Sequence, residues 1–393
     1  MEEIRILTEN EMPDSAELIH FAFKSSNRAD DPLVKCLPED TWGYFIDGQL
    51  AANIVILPLQ AFVNGYVHEM GMIAGVASWP EYRKGGTVRQ LMIRGLQAMK
   101  DKGQTISYLG PFSYSFYRRF GWEMMYEYKK YTLKANCVPD WRGSGSVSRI
   151  RPDLPRLNDI YVRYAAKYNG MANRSVERWN SSILANKKGM IAVYCNEAGE
   201  DRGYLIYEYR GVQLTIHEFV YLDRDANKGL WEFIRKQDSM YESVTFKAPA
   251  DDRFPFLIDN PKGLEISFPA HLMARIIDVP GFLAKCRFKE NGGGTAIGLT
   301  VTDEYAPWNN GTYRLSIGED GAVEVRPTVA GVSADGSLPH LACDIQTMST
   351  LMIGYQKPSF LHEIGRLQGS VEAVRVLEER LPGHTPYYLD FGY

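Results

Sequence analysis

The sequence has few cysteines, and none stands in a pairing pattern. Five are spread over 393 residues without any Cys-x-x-Cys pair: Cys36, Cys137, Cys195, Cys286 and Cys343. Structural zinc sites and the disulfide frameworks of small secreted domains use closely spaced cysteines. The pattern therefore predicts five buried thiols, no disulfide framework and no metal site.

The sequence also lacks an excess of charge of one sign and a long apolar run. Lys and Arg total 44, Asp and Glu total 48, and the formal net charge is -4. This balance gives no reason to expect nucleic-acid binding. No run of 18 apolar residues occurs, and no basic segment followed by an apolar one opens the chain, so neither a membrane span nor a signal peptide is predicted. We expect a cytoplasmic protein.

What is present is the composition of a large globular protein. Hydrophobic residues make up 45% and charged residues 23% of the chain, which are values of ordinary soluble domains. A length of 393 residues exceeds what one hydrophobic core usually supports. Two or three domains are therefore predicted.

One short segment carries the strongest functional signal. Arg83-Lys84-Gly85-Gly86-Thr87-Val88 lies between a strand-like run over residues 72–78 and a periodic helix over residues 88–99. The first N–H groups of a helix have no partner inside it, its dipole favours an anion, and glycine lets the backbone approach that anion closely. The pattern predicts a pyrophosphate-binding loop, with Arg83 and Lys84 as countercharge.

The helix after this loop has a continuous apolar stripe. Its members recur at i, i+3, i+4, i+7, i+8 and i+11: Val88, Leu91, Met92, Gly95, Leu96 and Met99. Such a stripe is typical of a helix packed on a sheet and ended here by Gly103. We expect it to hold the anion-binding end of the helix rigidly.

The loop resembles the acyl-CoA-binding loop of the GCN5-related N-acetyltransferases (GNAT), written Arg/Gln-x-x-Gly-x-Gly/Ala. Arg83 and Gly86 occupy its two strongest positions. Val88 stands where glycine or alanine is usual, and Gly85 where a basic residue is common, so the resemblance implies looser CoA binding than a full match would.

A second block resembles the same superfamily. Residues 116–123 read Phe-Tyr-Arg-Arg-Phe-Gly-Trp-Glu, similar to a segment whose tyrosine protonates the departing thiolate. The resemblance gives that role to Tyr117. Backbone N–H groups of Val76, Ala77 and Ser78 would hold the pantetheine arm and polarise the thioester carbonyl.

The longer runs 76–83 and 111–122 resemble the enhanced-intracellular-survival (Eis) family in particular. That resemblance implies acetyl-CoA as co-substrate, no metal, and assembly as a hexamer. It also implies two GNAT domains followed by a sterol-carrier-like domain that contributes mainly architecture.

The predicted fold class is α/β and α+β, with three domains. The first, residues 1–138, is a mixed-sheet GNAT domain with a helix over 8–24 and strands over 43–57 and 60–69 joined near Pro58. Further strands are predicted over 106–109 and 126–133. A Pro-, Gly- and Ser-rich stretch over 136–155 separates it from the second domain.

The second domain, residues 150–285, repeats the order strand, strand, helix, strand. His217-Glu218 corresponds to His68-Glu69 of the first domain, which indicates a duplicated fold. Asp223 and Asp225 stand where a phosphate would bind. This copy is expected not to bind CoA.

The third domain, residues 286–393, has strands followed by helices, an α+β order. Strands are predicted over 296–301, 311–317, 322–325 and 341–345, and helices over 349–355, 359–366 and 370–379. Its last residues are rich in aromatics. These residues either pack on the third domain or, as the Eis resemblance implies, bring the α-carboxylate of Tyr393 to the first active site as general base, with Asp390 at the substrate.

Other residues are weighed for the acceptor site. Asp30 and Asp31 are candidates to bind a polycationic amine, or form a solvated loop. Trp42, with Phe21 and Phe23, is a candidate to line the acceptor pocket, or packs in the core. His68 with Glu69 is an alternative base, or a structural pair.

Two classes of function stay open. The first is acetyl-CoA-dependent N-acetylation of a multi-amine small molecule, which the resemblance makes aminoglycoside-like, with a protein lysine or a polyamine as alternative acceptor. The second is a non-catalytic acyl-CoA-binding or regulatory protein. The departures from the GNAT loop pattern at Gly85 and Val88 favour this class.

Overall fold

The computed structural model describes residues 1–24, 36–290, 293–328 and 338–388. They form two compact units, one built from residues 1–125 and 272–383 and the other from residues 126–271 and the C-terminal residues 384–388. We call them unit 1 and unit 2. The segment predicted as a third domain thus shares a unit with the first. The three boundaries stay predictions.

The N-terminal part of unit 1 is a mixed sheet with helices. Strands β1 to β5 follow one another in the sheet in chain order, and β4 and β5 run parallel. The strands are β1 (Glu2–Ile6), β2 (Thr41–Ile46), β3 (Gln49–Val63), β4 (Tyr66–Ser78) and β5 (Ile106–Leu109), and the helices are α1 (Met12–Phe23), α2 (Thr87–Asp101) and α3 (Tyr114–Arg118).

The strand connections differ from the prediction. Pro58 lies inside β3, opposite Gly71 of β4, and the turns fall instead at Asp47–Gly48 and Asn64–Gly65, where all four residues have positive φ. Asp-Gly and Asn-Gly are the residue pairs that two-residue hairpin turns require. The pairing of β2 with β3 stops at Val55, so the missing N–H of Pro58 breaks no bond to β2.

Helix α2 confirms the predicted stripe. Most stripe members are buried: Leu91, Met92, Gly95, Leu96 and Met99. A Cβ on Gly95 would lie 2.9 Å from Ile54 Cδ1, so the absence of a side chain there lets the helix lie close to β3.

Unit 2 repeats part of this arrangement. Its sheet order is β6-β11-β10-β9-β8-β7, and β10 runs parallel to β11 as β4 does to β5. The strands are β6 (Glu123–Lys134), β7 (Ser146–Ile150), β8 (Met190–Cys195), β9 (Asp201–Arg210), β10 (Gln213–Tyr221), β11 (Ser243–Pro249) and β12 (Leu264–Ser267), and the helices are α4 (Leu154–Ala165), α5 (Val176–Arg178), α6 (Leu184–Asn186), α7 (Arg224–Arg235) and α8 (Phe254–Leu257).

A charged network lies inside unit 2. Glu218 of β10 is fully buried and accepts hydrogen bonds from both terminal nitrogens of Arg174, at 2.6 and 3.1 Å. Lys187 Nζ and the Tyr204 hydroxyl also contact it. The Arg174 guanidinium further lies 3.6 Å from the ring centroid of Tyr161. A buried carboxylate is tolerated because these donors replace its hydration.

The rest of unit 1 comes from the C-terminal part of the chain. Strand β13 adds to β5 in antiparallel register, and a second sheet has the order β16-β15-β14-β17-β18. The strands are β13 (Ala270–Ile276), β14 (Thr295–Thr302), β15 (Gly311–Ile317), β16 (Val323–Thr328), β17 (His340–Asp344) and β18 (Gln368–Gly369), and the helices are α9 (Val279–Leu283), α10 (Ile345–Met352), α11 (Pro358–Glu363) and α12 (Val371–Arg380). The predicted α+β character is confirmed.

Residues 384–388 pack in unit 2, not on the predicted third domain. Asn169 donates its backbone N–H to Thr385 O at 3.0 Å and accepts from Tyr387 N at 2.9 Å. The rings of Tyr168 and Tyr387 meet edge to face at 5.4 Å, and Tyr388 is buried. The expectation of a docked aromatic tail is confirmed for Tyr387 and Tyr388.

Two sequence expectations concern burial and membranes. Cys286 and Cys343 are buried, but Cys36, Cys137 and Cys195 are half-buried, so the prediction of five buried thiols is wrong for three. Within the described ranges, no helix is long and apolar enough to cross a membrane.

We predict that Glu218→Gln strongly destabilises unit 2. The substitution removes the carboxylate that buried Arg174 and Lys187 both contact, and breaking a buried ion pair on one side costs about 3–5 kcal/mol of unfolding free energy. Hydrogen exchange of the β9 and β10 amides in rising urea measures the loss. Glu265→Gln on exposed β12 is the control, and equal protection in the two variants would contradict the prediction.

Candidate active site

A bulge in β4 shapes the candidate site. The register of β3 with β4 shifts between the pairs Asn53–Ala77 and Val55–Ala74, so β4 has one extra residue there. Gly75, at φ +55°, lies in this bulge, and its carbonyl accepts a hydrogen bond from Asn53 Nδ2 at 2.7 Å. A bulge of this kind bends the strand and ends regular pairing.

Beyond the bulge, β4 separates from β5. The parallel pairing runs from Met70–Ile106 to Ile73–Leu109, whereas β4 continues to Ser78 and stays paired with β3. No described strand pairs with residues 74–78 on the side of β5. Val76, Ala77 and Ser78 therefore form an open strand edge, which can bind an extended amide-containing chain by backbone hydrogen bonds.

The loop after β4 has two residues in the left-handed region. Lys84 has φ +67° and Gly86, the N-cap of α2, has φ +85°. A lysine at positive φ is uncommon, and such strain concentrates at binding loops. The Arg83 guanidinium contacts Ser78 O at 3.3 Å from both Nε and Nη2, which ties the loop to the end of β4.

The start of α2 is open to an anion. The first hydrogen bond of the helix runs from Gln90 N to Gly86 O at 3.0 Å, so the N–H groups of Thr87, Val88 and Arg89 precede the first intrahelical bond. Arg83, Lys84 and Gly85 are exposed beside them. First-turn N–H groups with neighbouring cations are the elements of a phosphate site. Phosphate binding by residues 83–88 stays a prediction.

Tyr117 lies in the same hydrophobic cluster as α2 and β5. Its side chain is 2% exposed and shares this cluster with Met92, Leu96 and Leu109. Helix α3, which carries it, begins with a cap in which Ser113 Oγ accepts from Phe116 N. The predicted acid and the predicted CoA helix thus belong to one packed region of unit 1.

An exposed aromatic residue beside Tyr117 has no role in the sequence interpretation. Phe112 is 69% exposed, and its ring centroid lies 5.3 Å from that of Phe116 and 5.4 Å from that of Tyr117. Phe112 therefore forms the exposed side of the aromatic group that packs against Tyr117. Sequence gave no signal for it, because exposure of Phe112 depends on the fold.

The structure describes only some of the residues predicted for the acceptor site. Trp42 is 6% exposed in the core, with the Arg94 guanidinium 4.6 Å from its ring centroid, which favours packing, and its substrate contact stays a prediction. Phe21 is exposed and its ring lies 5.0 Å from that of Trp79; Phe23 is exposed as well. Asp30, Asp31, Asp390 and Tyr393 lie outside the described residues.

The alternative base His68 is placed in the protein interior. Its imidazole is fully buried against Phe282, 4.8 Å between ring centroids, and burial lowers its pKa to about 4. Nδ1 lies 3.2 Å from Thr105 Oγ1. Glu69 accepts from Gln60 Nε2 at 2.8 Å. These contacts support the structural alternative.

The corresponding helix start in unit 2 is filled by the chain itself. Asp223 caps α7 by accepting from Ala226 N at 2.9 Å, and Arg202 pairs with Asp223 at 2.8 Å. Asp225 accepts from Ser144 N and Oγ. The Asp223 carboxylate thus caps the start of α7, and Asp225 is bound to Ser144. That this copy lacks a CoA site stays a prediction.

Three segments of the chain match known domain families. Residues 3–125 match an acetyltransferase (GNAT) domain family, residues 170–276 a second acetyltransferase (GNAT) domain family, and residues 279–389 a sterol carrier protein domain family. The chain is an acetyltransferase with two GNAT domains followed by a sterol carrier protein domain. The predicted family and fold class are confirmed.

Full-length relatives of this acetyltransferase agree. An uncharacterized N-acetyltransferase from Streptomyces avermitilis is 24% identical over 96% of this chain and 95% of its own length. A structure from Enterococcus faecalis V583, described as a probable N-acyltransferase of unknown function, has a TM-score of 0.91 at 27% identity over 100% of both chains. Eis1 from Mycobacterium abscessus shares the fold, with a TM-score of 0.81 at 18% identity over 100% of both chains.

The two neighbouring glycines of the loop give a paired prediction. Gly86→Ala places a Cβ at φ +85°, and an L-residue in the left-handed region costs about 1–2 kcal/mol. Gly85, in contrast, does not have a positive φ. The atom nearest to a Cβ added there is Tyr82 O, at 3.6 Å, so Gly85→Ala causes no clash. Thermal unfolding should show a lower midpoint for Gly86→Ala than for Gly85→Ala, and equal midpoints would contradict the backbone argument.

Proposed function

We propose that this acetyltransferase transfers the acetyl group of acetyl-CoA directly to an amine of a multi-amine small molecule. The observation that carries the proposal is the open edge of β4, which leads to the N-terminus of α2 and lies in the same unit as Tyr117. Together these supply a place for an extended thioester arm, a place for its phosphates and a proton donor.

The cofactor would lie along the strand edge and the helix start. The pantetheine arm bonds to the backbone of Val76, Ala77 and Ser78, as a further strand would. Its pyrophosphate meets the N–H groups of Thr87, Val88 and Arg89, with Arg83, Lys84 and the Gly85–Gly86 backbone around it. Conformational strain held at Lys84 supports a binding role for this loop.

The reaction needs three proton movements. An ammonium has no lone pair, so a base removes a proton before the nitrogen attacks the carbonyl carbon. The C–N bond forms, the C–S bond breaks, and the Tyr117 hydroxyl gives its proton to the sulfur. The acylated nitrogen then loses its second proton, which leaves a neutral amide and restores the Tyr117 hydroxyl. A phenol with an aqueous pKa of about 10 is protonated at neutral pH, so it has a proton to give to the thiolate.

The acceptor and the base rest on the family resemblance. The α-carboxylate of Tyr393 is the proposed base, and Asp390, Asp30 and Asp31 are proposed to bind the cationic acceptor. An aminoglycoside-like amine is the proposed substrate, a protein lysine or a polyamine the alternative. The shared fold with Eis1 supports this domain arrangement. A hexamer stays part of the proposal.

The experiment that tests the function is release of CoA thiol from acetyl-CoA with aminoglycosides, polyamines and lysine peptides, with product masses recorded. Stepwise gains of one acetyl mass on an aminoglycoside would establish reaction and acceptor together. Binding of acetyl-CoA without turnover on any acceptor would contradict the acceptor class. Absence of binding would favour a regulatory protein.

Tyr117→Phe should lower kcat while leaving the acetyl-CoA Kd unchanged, since only the proton for the leaving thiolate is lost. A general acid contributes about 10²–10⁴-fold to a rate, and the loss should fall in that range. Tyr66→Phe, which removes a hydroxyl from an exposed tyrosine, is the matched control. Full turnover in Tyr117→Phe would exclude the acid role.

A chain extended by two residues after Tyr393 should lose turnover, because the carboxylate is moved away from the acceptor. The same two residues added before Met1 are the control. Binding of acetyl-CoA and the thermal midpoint should match in the two proteins. An active C-terminal extension would reject the carboxylate as base.

A further inference from the structure

The C-terminal part of unit 1 contacts the segment that follows Tyr117 at several points. We propose that the sterol-carrier-like domain positions the general acid, through Gln346, Arg366 and Tyr305 together with the Arg275–Asp303 pair. The proposal rests on the function proposed above for Tyr117. It assigns the domain a part in catalysis without a ligand of its own.

Arg275 of β13 forms the first of these contacts. Its side chain is fully buried, with Nη1 donating to Phe120 O and Nη2 to the Asp303 carboxylate. Asp303 is itself fixed, because it also accepts from Asn309 Nδ2 at 2.9 Å. The guanidinium therefore holds the backbone three residues after Tyr117 from a position that cannot readily move.

Two more side chains from the C-terminal part of unit 1 bond to the segment after Tyr117. Gln346 of α10 donates to Arg118 O at 2.9 Å. Arg366 Nη1 donates to Glu123 Oε2 at 3.0 Å, and the other oxygen of Glu123 accepts from Arg118 Nε at 2.8 Å. Gln346 thus bonds to Arg118 directly and Arg366 bonds to it through Glu123. Arg118 is the residue next to Tyr117.

Tyr305 connects the same segment to the CoA helix. Its ring centroid lies 5.0 Å from that of Phe120, and the Arg89 guanidinium of α2 lies 5.3 Å from it. One side chain of the sterol-carrier-like domain thus contacts both the segment after Tyr117 and the proposed phosphate-binding helix. This contact favours a fixed distance between sulfur and acid.

Helix α3 needs such external support because it has only five residues. So short a helix has too few internal hydrogen bonds to hold its own conformation. Proton transfer requires heavy atoms at about 2.6–3.2 Å. The cluster around Tyr117 packs its ring, and the contacts that hold residues 118–123 fix the backbone from which that ring extends.

The test replaces the two half-exposed contacts by a side chain of similar length without a donor. We expect Gln346→Met combined with Arg366→Met to lower kcat about 10-fold or more, since a misplacement of 1 Å can cost about 10²-fold. The acetyl-CoA Kd should stay unchanged. Replacing Arg366 by Lys instead of Met retains a donor, so Gln346→Met combined with Arg366→Lys should have a higher kcat than the variant with two Met substitutions. Arg375→Met, on an exposed arginine of the same domain paired with Glu372, is the matched control.

A double-mutant cycle with Tyr117→Phe decides whether the effect passes through the acid. If it does, the Met pair lowers kcat in the parent protein but not in the Tyr117→Phe background. An equal loss in both backgrounds, or no loss in the parent, would overturn this inference alone. Full activity of Tyr117→Phe would overturn the acid role and this inference with it. If the Met pair lowers the thermal midpoint strongly, Gln346→Met by itself serves for the cycle.

Discussion

The separation of β4 from β5 is the constraint on which the rest of the site depends. A continuous parallel pair would satisfy its own backbone groups and leave nothing for a ligand. The pairing stops where β5 ends at Leu109, and the extra residue at Gly75, whose carbonyl accepts from the buried amide of Asn53, bends β4 while β3 still supports it. A rigid, half-satisfied strand edge results, and the loop and α2 follow directly from its end.

The two GNAT-type sheets differ at the start of one helix. Both have a parallel strand pair whose strands are joined by a helix. In unit 1 the helix starts with glycine and cations, whereas in unit 2 Asp223 and Asp225 supply the negative charge that a phosphate would bring. A covalently attached carboxylate at a helix start competes with any free anion at very high effective concentration. The carboxylate cap of Asp223 therefore stabilises the start of α7.

Sequence patterns predicted the local features well. The stripe from Val88 to Met99 located α2, and strand β5 has the predicted bounds. The predicted strand junction near Pro58 is wrong, because Asp47–Gly48 and Asn64–Gly65 form the turns and Pro58 lies inside β3. The Arg275–Asp303 and Gln346–Arg118 contacts join residues far apart in the chain, and no periodicity reports such pairs. The exposure of Phe112 and the burial of His68 likewise depend on tertiary packing.

The interrupted layout of unit 1 has a consequence for synthesis of the protein. Strand β5 is flanked by β4, made shortly before it, and by β13, which the ribosome supplies only after all of residues 126–269 have been made. Until then the nascent first domain has an unpaired strand edge, a template for wrong pairing and aggregation. Chains cut short before β13 should be cleared as misfolded protein, and heterologous expression should depend on chaperone capacity during that interval.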